Sequence, residues 1–194
     1  PGACCLAGVC EVVADEAECT ALGGIWQGHG TDCDPNPCSV LTLTPDDDCY
    51  VLGETVTVTV AMANVSQNIV GGDFYLAFDT AKLAFFSATP ISPFFQLDES
   101  VGAGTLDYSV AIFPPSYVTG SANIATLKFT ALQAICDIGD MVTWRSDPVS
   151  RLSDGQGNPV YPTLIDVPPL SDTTPPTVNC PGDFTAECAA PPAY

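Results

Sequence analysis

Ten cysteines are the residues of this chain whose type and spacing bear most directly on its chemistry. Six precede residue 40, and such clusters form disulfides in oxidising compartments, whereas the cytosol keeps thiols reduced. We therefore expect a secreted protein, located outside the cell or on its surface. The cysteines predicted to form disulfides are Cys4, Cys5, Cys10, Cys19, Cys33, Cys38, Cys49, Cys136, Cys180 and Cys188.

The pairing of the first six cysteines stays open, because their spacing does not select among the alternatives. A zinc site is the competing interpretation, but zinc sites usually combine closely paired cysteines with histidines. The lone His29 lies in a glycine-rich loop, so disulfides are favoured. If Cys49 and Cys136 pair, they close a long loop and stabilise the fold by about 4–5 kcal/mol in the loop-closure interpretation.

Catalytic residues are not predicted. A serine or cysteine nucleophile needs a base, and His29 is the single histidine of the sequence. Acidic residues are numerous, but no pair lies in a recognisable glycosidase context. The chain is therefore interpreted as a non-enzyme.

Calcium is the metal for which the sequence offers ligands. The run Asp46, Asp47 and Asp48 and the loop that contains Asp154 and Asn158 supply hard oxygen atoms. Neither has the spacing of an EF-hand loop, and turn formation also explains the Asp-Gly and Gly-Asn pairs. We expect no cofactor other than calcium at these loops.

The charge balance excludes two classes of partner. Four Lys and Arg residues stand against 23 Asp and Glu, a formal net charge of -19. Such a chain repels nucleic acid and anionic membrane surfaces. No run approaches the roughly 18 apolar residues that span a bilayer, so no membrane insertion is predicted. Because the sequence begins Pro-Gly without a basic, apolar leader, it is interpreted as a mature or excised form.

Strands must position these residues. In residues 53–79, valines alternate with threonines, and after a Gly-Gly pair phenylalanine and leucine alternate with polar residues. This pattern predicts two half-buried strands separated by a glycine break. Further strands follow at short spacing, so the fold class is all-β, a jelly-roll-like antiparallel sandwich. The predicted strands are 40–44, 55–63, 73–78, 83–88, 106–112, 122–131, 141–145 and 161–167.

The composition divides the chain into three parts. Residues 1–38 form a disulfide-rich segment with a short helix over 15–22, and residues 39–170 form the sandwich. Residues 171–194 form an extended, proline-rich tail or linker, in which Cys180 and Cys188 pair locally.

The order of signals in the sandwich resembles the cohesin module and related carbohydrate-binding modules. The matching segments are GETVTVTVAMANV, DFYLAFD, KLAFFSATP, IATLKFTAL and LSDGQGNPV, spread over about 130 residues. The resemblance implies a nine-stranded jelly-roll-like sandwich and a dockerin-like partner. No dockerin-contacting residue is carried over, because no motif sets those positions.

Both flanks resemble known segments. GACCLAGVCEVVADEAECTALGGIWQGHGTDCDPNPC is similar to a short cysteine-rich repeat of large secreted proteins from environmental bacteria, notably planctomycetes. SDTTPPTVNCPGDFTAEC resembles the start of an HYR-type immunoglobulin-like domain. Neither resemblance implies an activity.

Apolar side chains and one sequon complete the candidate sites. Two apolar loops, residues 90–95 and 113–118, offer aromatic side chains to a protein partner or, since tryptophan platforms are missing, less readily to a sugar. Asn64 begins the sequon Asn-Val-Ser and is a candidate glycosylation site. The interface candidates are Phe94, Phe95, Phe113, Tyr117, Val178 and Phe184.

Two functions are consistent with these features. The first is an extracellular structural protein that associates head to tail through its termini into a surface filament or fibre. Its partners are copies of itself or neighbouring surface-protein domains, and its tail adds a strand to an exposed sheet edge. The alternative is a cohesin-like binding module of a larger cell-surface protein that recognises a dockerin-like partner or a polysaccharide.

Overall fold

A computed structural model describes residues 1–6, 8–34, 37–136 and 138–167. The predicted tail, with Cys180, Cys188, Val178 and Phe184, lies outside these ranges. The elements of the first part are β1 (Gly2–Leu6), β2 (Val9–Val13), α1 (Glu16–Ala21) and β3 (Ile25–His29). Those of the second part are β4 (Val40–Pro45), β5 (Cys49–Tyr50), β6 (Thr55–Phe78), β7 (Leu83–Pro90), β8 (Phe95–Val101), β9 (Thr105–Ala111), β10 (Val118–Ala131), β11 (Ile135–Cys136), β12 (Val142–Trp144), β13 (Arg151–Asp154), β14 (Pro159–Val160) and β15 (Thr163–Ile165).

The prediction of two strands in residues 53–79 is wrong. A single strand of 24 residues, β6, covers Thr55–Phe78 without a break. Gly71 and Gly72 do not interrupt it; they pair with β9 on one side and β13 on the other. A Cβ on Gly71 would lie 2.6 Å from the carbonyl oxygen of Val110. Glycine here permits a close approach of neighbouring backbones rather than a turn.

The two halves of β6 belong to two sheets. The first half pairs with β4 and β10, which extends the sheet to the order β15-β4-β6-β10-β7. The second half pairs with β9 on one side and with β12 and β13 on the other, and β8 and β14 flank these strands. We call these the first and the second sheet. Together they form the predicted all-β sandwich.

Alternating apolar side chains fill the space between the sheets. Leu127 and Phe129 of β10 are buried, and so are Leu106, Tyr108 and Val110 of β9, so these side chains point inward. Burying an aliphatic or aromatic side chain of this size contributes about 1.5–3 kcal/mol, so these positions supply much of the stability.

The backbone of β6 departs from regular strand geometry at Asn64. This residue has φ 57°, a left-handed conformation that asparagine tolerates better than most residues. Its Nδ2 donates a hydrogen bond to the carbonyl oxygen of Cys38 at 3.2 Å. The nitrogen that a glycan would need is therefore engaged with the protein itself, and glycosylation of Asn64 stays a prediction.

The first 38 residues contain a small sheet, β2-β1-β3, and the helix α1. The structure selects one pairing of the six cysteines, and it places their sulfur atoms in disulfides rather than on zinc. The bridges are Cys4–Cys19, Cys5–Cys38 and Cys10–Cys33. The predicted helix is confirmed.

Asp15 caps α1, accepting a hydrogen bond from the Glu18 backbone N–H at 3.0 Å. In the sandwich, Cys49 and Cys136 lie at disulfide distance and join β5 to β11, as expected.

Several short or exposed strands were missed by sequence reasoning. β8 begins at Phe95, inside a stretch expected to be an apolar loop, while Phe94 is 5% exposed and lies in the core. Phe94 is therefore corrected from an interface candidate to a core residue. β8 pairs with β9 alone and exposes most of its residues, so it lacks the alternation that identifies a half-buried strand.

We expect Gly71→Ala to destabilise the protein by about 1–3 kcal/mol, because the new methyl group would overlap the Val110 carbonyl of β9. Gly155→Ala is the control, since a Cβ there meets no atom closer than 3.9 Å. Urea unfolding of the two non-reduced variants measures the difference. Equal stability of both would show that the glycine pair does not serve close packing.

Candidate partner-binding face

On the outer face of the second sheet, ion pairs hold two arginine side chains in place. In β6, Phe74 and Leu76 point into the core, so Asp73 and Tyr75 point outward. By register, Asp73 stands beside Ser109 and Tyr75 beside Asp107 of β9. We call this surface the arginine face, because Arg145 and Arg151 lie on it.

Arg151 is held on this face by an acidic partner. Its Nε donates to Asp73 Oδ2 at 3.0 Å, and Ser109 Oγ donates to Asp73 Oδ1 at 2.8 Å. The hydrogen bond to Asp73, with a further one to Tyr161, raises the pKa of Arg151 above its ordinary value. A partly exposed pair of this kind contributes about 1 kcal/mol or less to stability, so its main effect is to orient the guanidinium.

Arg145 is held in a similar way. Its Nη1 donates to Asp107 Oδ1 at 2.6 Å, and its Nη2 donates to the carbonyl oxygen of Asp147 at 3.2 Å. Its backbone N–H donates to the Tyr75 carbonyl at 2.9 Å. Two of the four cationic side chains of the sequence therefore lie on one surface.

A hollow of about 330 Å³ opens beside Arg151. Ser150 fixes the loop that forms its wall: this side chain is fully buried, and its Oγ accepts a hydrogen bond from the Tyr75 N–H at 2.8 Å. The floor and rim combine aromatic, aliphatic and charged groups, the composition typical of binding hot spots. The lining residues are Tyr75, Asp147, Pro148, Val149, Arg151 and Tyr161.

The carboxylates of the first predicted calcium loop serve to close turns. Asp46 Oδ1 accepts hydrogen bonds from the Tyr50 hydroxyl at 2.7 Å and from the Thr57 N–H at 3.0 Å. Burial tends to raise the pKa of Asp46, but these hydrogen bonds outweigh it and lower the pKa below its ordinary value. Asp47 Oδ1 accepts from the N–H groups of Asp48 and Cys49.

The second predicted loop is closed in the same way. Asp154 Oδ1 accepts from the backbone N–H groups of Gln156 and Asn158, and its Oδ2 accepts from Asn158 Nδ2. These bonds, the one from the Asn158 side chain foremost, lower the pKa of Asp154. Among the described residues no three His, Cys, Asp or Glu side chains cluster as metal ligands, and calcium stays an untested prediction.

The predicted aromatic loops meet on a different part of the surface. The rings of Phe95 and Phe113 stack with centroids 4.1 Å apart and planes 15° from parallel. Phe113 is 69% exposed and Tyr117 is 55% exposed. The structure thus brings two of the predicted interface residues, Phe95 and Phe113, into contact, and it exposes Tyr117 in the predicted loop that begins at Phe113.

Comparison with known proteins decides the family. Residues 42–164, more than half of the chain, match the cohesin domain family. The chain belongs to that family. A search of curated proteins found no match.

Solved structures agree with the family. A type II cohesin from Bacteroides cellulosolvens has a TM-score of 0.56 and 14% identity, covering 68% of this chain and 98% of that one. A type II cohesin from the cellulosome of Acetivibrio cellulolyticus has a TM-score of 0.54 and 16% identity, covering 66% and 92%. The sixth cohesin of Acetivibrio cellulolyticus scaffoldin B, in complex with a Cel5 dockerin mutant, has a TM-score of 0.51 and 21% identity, covering 66% and 95%. At these identities the likeness shows the fold.

The resemblance of the sandwich to cohesins is therefore confirmed. The resemblances of the two flanks to a cysteine-rich repeat and to an HYR-type domain stay predictions, because the family match lies between them. Within the described ranges, no helix is long and apolar enough to cross a membrane.

Sequence reasoning missed the arginine face. One signal was available: in a chain with four cationic residues, Arg145 and Arg151 lie six positions apart beside a predicted strand. Their shared surface depends on the pairing of β6 with β12 and β13, which spacing alone does not fix.

We expect Asp46→Asn to reduce stability at neutral pH, because the folded pKa of Asp46 is lowered and its charged form is favoured. The stabilisation is fully present above the unfolded pKa of about 4 and is lost as pH falls through the folded value. Its size is about 1 kcal/mol or less, since the carboxylate is exposed to solvent. Urea unfolding between neutral and acid pH measures it.

Asp48→Asn is the matched control, because the Asp48 carboxylate accepts no hydrogen bond from the described residues. A difference between wild type and Asp46→Asn that persists unchanged in acid would contradict the electrostatic explanation.

Proposed function

We propose that this chain is a non-enzymatic, extracellular cohesin module that binds a dockerin-like protein through the arginine face. The observation that carries the proposal is the hollow beside Arg151, in which Tyr75, Val149 and Tyr161 surround a guanidinium held by Asp73. Family membership supports a binding module rather than an enzyme. Dockerins enter the proposal because related cohesins were solved in complex with them.

Preorganisation favours this surface as the binding site. A partner gains affinity when the side chains that it contacts are already ordered, because less entropy is lost on association. Arg145 and Arg151 are each fixed by a cross-strand carboxylate, and Ser150 anchors the neighbouring loop. The apolar part is accessible as well, since Tyr161 is 60% and Val149 is 45% exposed.

The outer face of the first sheet is less suited to a specific protein partner. It presents mainly threonine hydroxyls, such as Thr57 and Thr59, around the exposed Lys128. A surface of short, uniform side chains offers no pocket for an anchoring residue of the partner.

The proposed extracellular location rests on chemistry outside the binding face. Four disulfides link cysteines of the described residues, and such bridges persist in oxidising compartments. The net charge of -19 disfavours binding to nucleic acid.

The head-to-tail filament is not part of the proposal. Its expected strand donor, residues 171–194, lies outside the described ranges, and the comparisons favour the binding module. Self-association therefore stays an untested prediction.

We expect Tyr161→Ala and Arg151→Glu each to weaken dockerin binding tenfold or more, which corresponds to about 1.4 kcal/mol. The first removes an aromatic wall of the hollow, and the second reverses a charge. Isothermal titration calorimetry against the dockerin modules encoded in the same genome measures the affinity.

Lys128→Glu is the matched control for the charge reversal, because it makes the same change on the outer face of the first sheet. If no dockerin module binds, or if Lys128→Glu weakens binding as much as Arg151→Glu, the proposed face is wrong.

A further inference from the structure

A second cavity lies at the end of the second sheet and shares no lining residue with the arginine face. Its volume is about 370 Å³, within the range of small-molecule sites, about 300–1,000 Å³. It is formed by the middle of β6, the end of β9, the loop that follows β9, and the turn between β13 and β14. The lining residues are Asn68, Val70, Ala111, Ile112, Pro114, Pro115, Ser116, Tyr117, Gly155 and Gln156.

Backbone hydrogen bonds join the walls of this cleft. Ile112 N–H donates to the Val70 carbonyl at 2.7 Å, which fixes the loop after β9 to β6. Gly155 N–H donates to the Asn68 carbonyl at 3.0 Å, which fixes the opposite turn to the same strand. The cleft is therefore formed before any ligand arrives, and binding needs little reorganisation.

One aromatic ring lies in the wall of the cleft, and a stacked aromatic pair adjoins the lining residues through the chain and the strand pairing. Tyr117 is in its wall and is 55% exposed. Phe113 adjoins the lining residues Ile112 and Pro114 in the chain, and it stacks on Phe95, which pairs with the lining residue Ala111. The exposed Tyr117 ring offers a flat apolar surface to a ligand with apolar faces.

Neutral polar groups complete the lining. The side-chain amides of Asn68 and Gln156 each provide donors and an acceptor, and no hydrogen bond to them is found among the described residues. Ser116 and Tyr117 add hydroxyl groups. Asp154 lies next to this wall, but both of its carboxylate oxygens already accept hydrogen bonds. Oδ1 accepts from the backbone N–H groups of Gln156 and Asn158, and Oδ2 accepts from Asn158 Nδ2.

The absence of charge in the lining limits the class of ligand that the cleft can bind. No lining residue of the cleft is charged, although the chain as a whole has a net charge of -19. An anionic ligand would be repelled by that field and would find no cation in the lining, and a cationic ligand would find no carboxylate there. A flat apolar ring together with neutral donors and acceptors matches the alternating C–H faces and hydroxyl edges of a pyranose.

We propose that this cleft binds a neutral, hexose- or pentose-based polysaccharide, with the Tyr117 ring under a sugar ring and the side-chain amides of Asn68 and Gln156 bonded to hydroxyl groups. The module then has two binding sites, one for a carbohydrate and one for a protein. The carbohydrate site does not depend on the function proposed for the arginine face.

Calorimetric titration of the intact, non-reduced protein tests the proposal. The probes are cellohexaose, mannohexaose and xylohexaose, with a hexamer of galacturonic acid as the anionic control. We expect at least one neutral probe to bind and the anionic one not to bind. Tyr117→Ala and Gln156→Ala should each weaken that binding about tenfold.

Matched controls separate the cleft from general effects. Tyr161→Ala removes an equally exposed tyrosine from the arginine face, and Gln133→Ala removes an exposed amide outside both sites. Both should bind the sugar as the parent does, and Tyr117→Ala should retain any dockerin binding. Thermal melts confirm that the variants, all altered at the surface, are folded.

Three results would overturn the proposal. The first is an absence of binding by all neutral probes up to about 5 mM. The second is unchanged sugar affinity in both Tyr117→Ala and Gln156→Ala. The third is equal binding of the anionic hexamer, which would show that neutrality of the cleft does not select the ligand.

Discussion

Both sheets depend on the continuity of β6, because this strand supplies a central member to each. Its first half must find hydrogen-bond partners in β4 and β10, and its second half in β9, β12 and β13. The register on either side of the second half decides that Asp73 faces Ser109 and that Arg151 reaches Asp73. A shift of the strand register by one residue would turn these side chains into the core. The chemistry of this surface therefore depends on the backbone pairing of the strands.

The acidic side chains of this chain have two structural roles. Some accept hydrogen bonds from backbone N–H groups and close turns, as Asp46 and Asp154 do. Others, such as Asp73 and Asp107, hold an arginine in place on a sheet. A high count of carboxylates therefore does not by itself indicate a metal site, since the two predicted loops already provide donors for Asp46, Asp47 and Asp154.

Local alternation and composition made part of the fold predictable from the sequence. The two-faced character of residues 55–63 and 122–131, the short helix and the Cys49–Cys136 pair all rest on local patterns, and these were confirmed. Exposed or very short strands such as β8 and β14 were not predicted, because a strand without a buried face shows no alternation of apolar and polar residues. The arginine face was not predicted for a different reason. Its residues come from separate parts of the chain, and the topology of the sheet brings them together.

One pairing of strands has a mechanical consequence. β4 opens the sandwich and β15 is its last described strand, and these two run parallel and side by side, with Val40 beside Thr163 and Thr42 beside Ile165. A pulling force transmitted through the chain on either side of the sandwich would act along these strands in opposite directions. It would load their hydrogen bonds in shear, all at once, instead of opening them one after another. A module that joins other parts of a surface assembly would in this way keep its shape under tension.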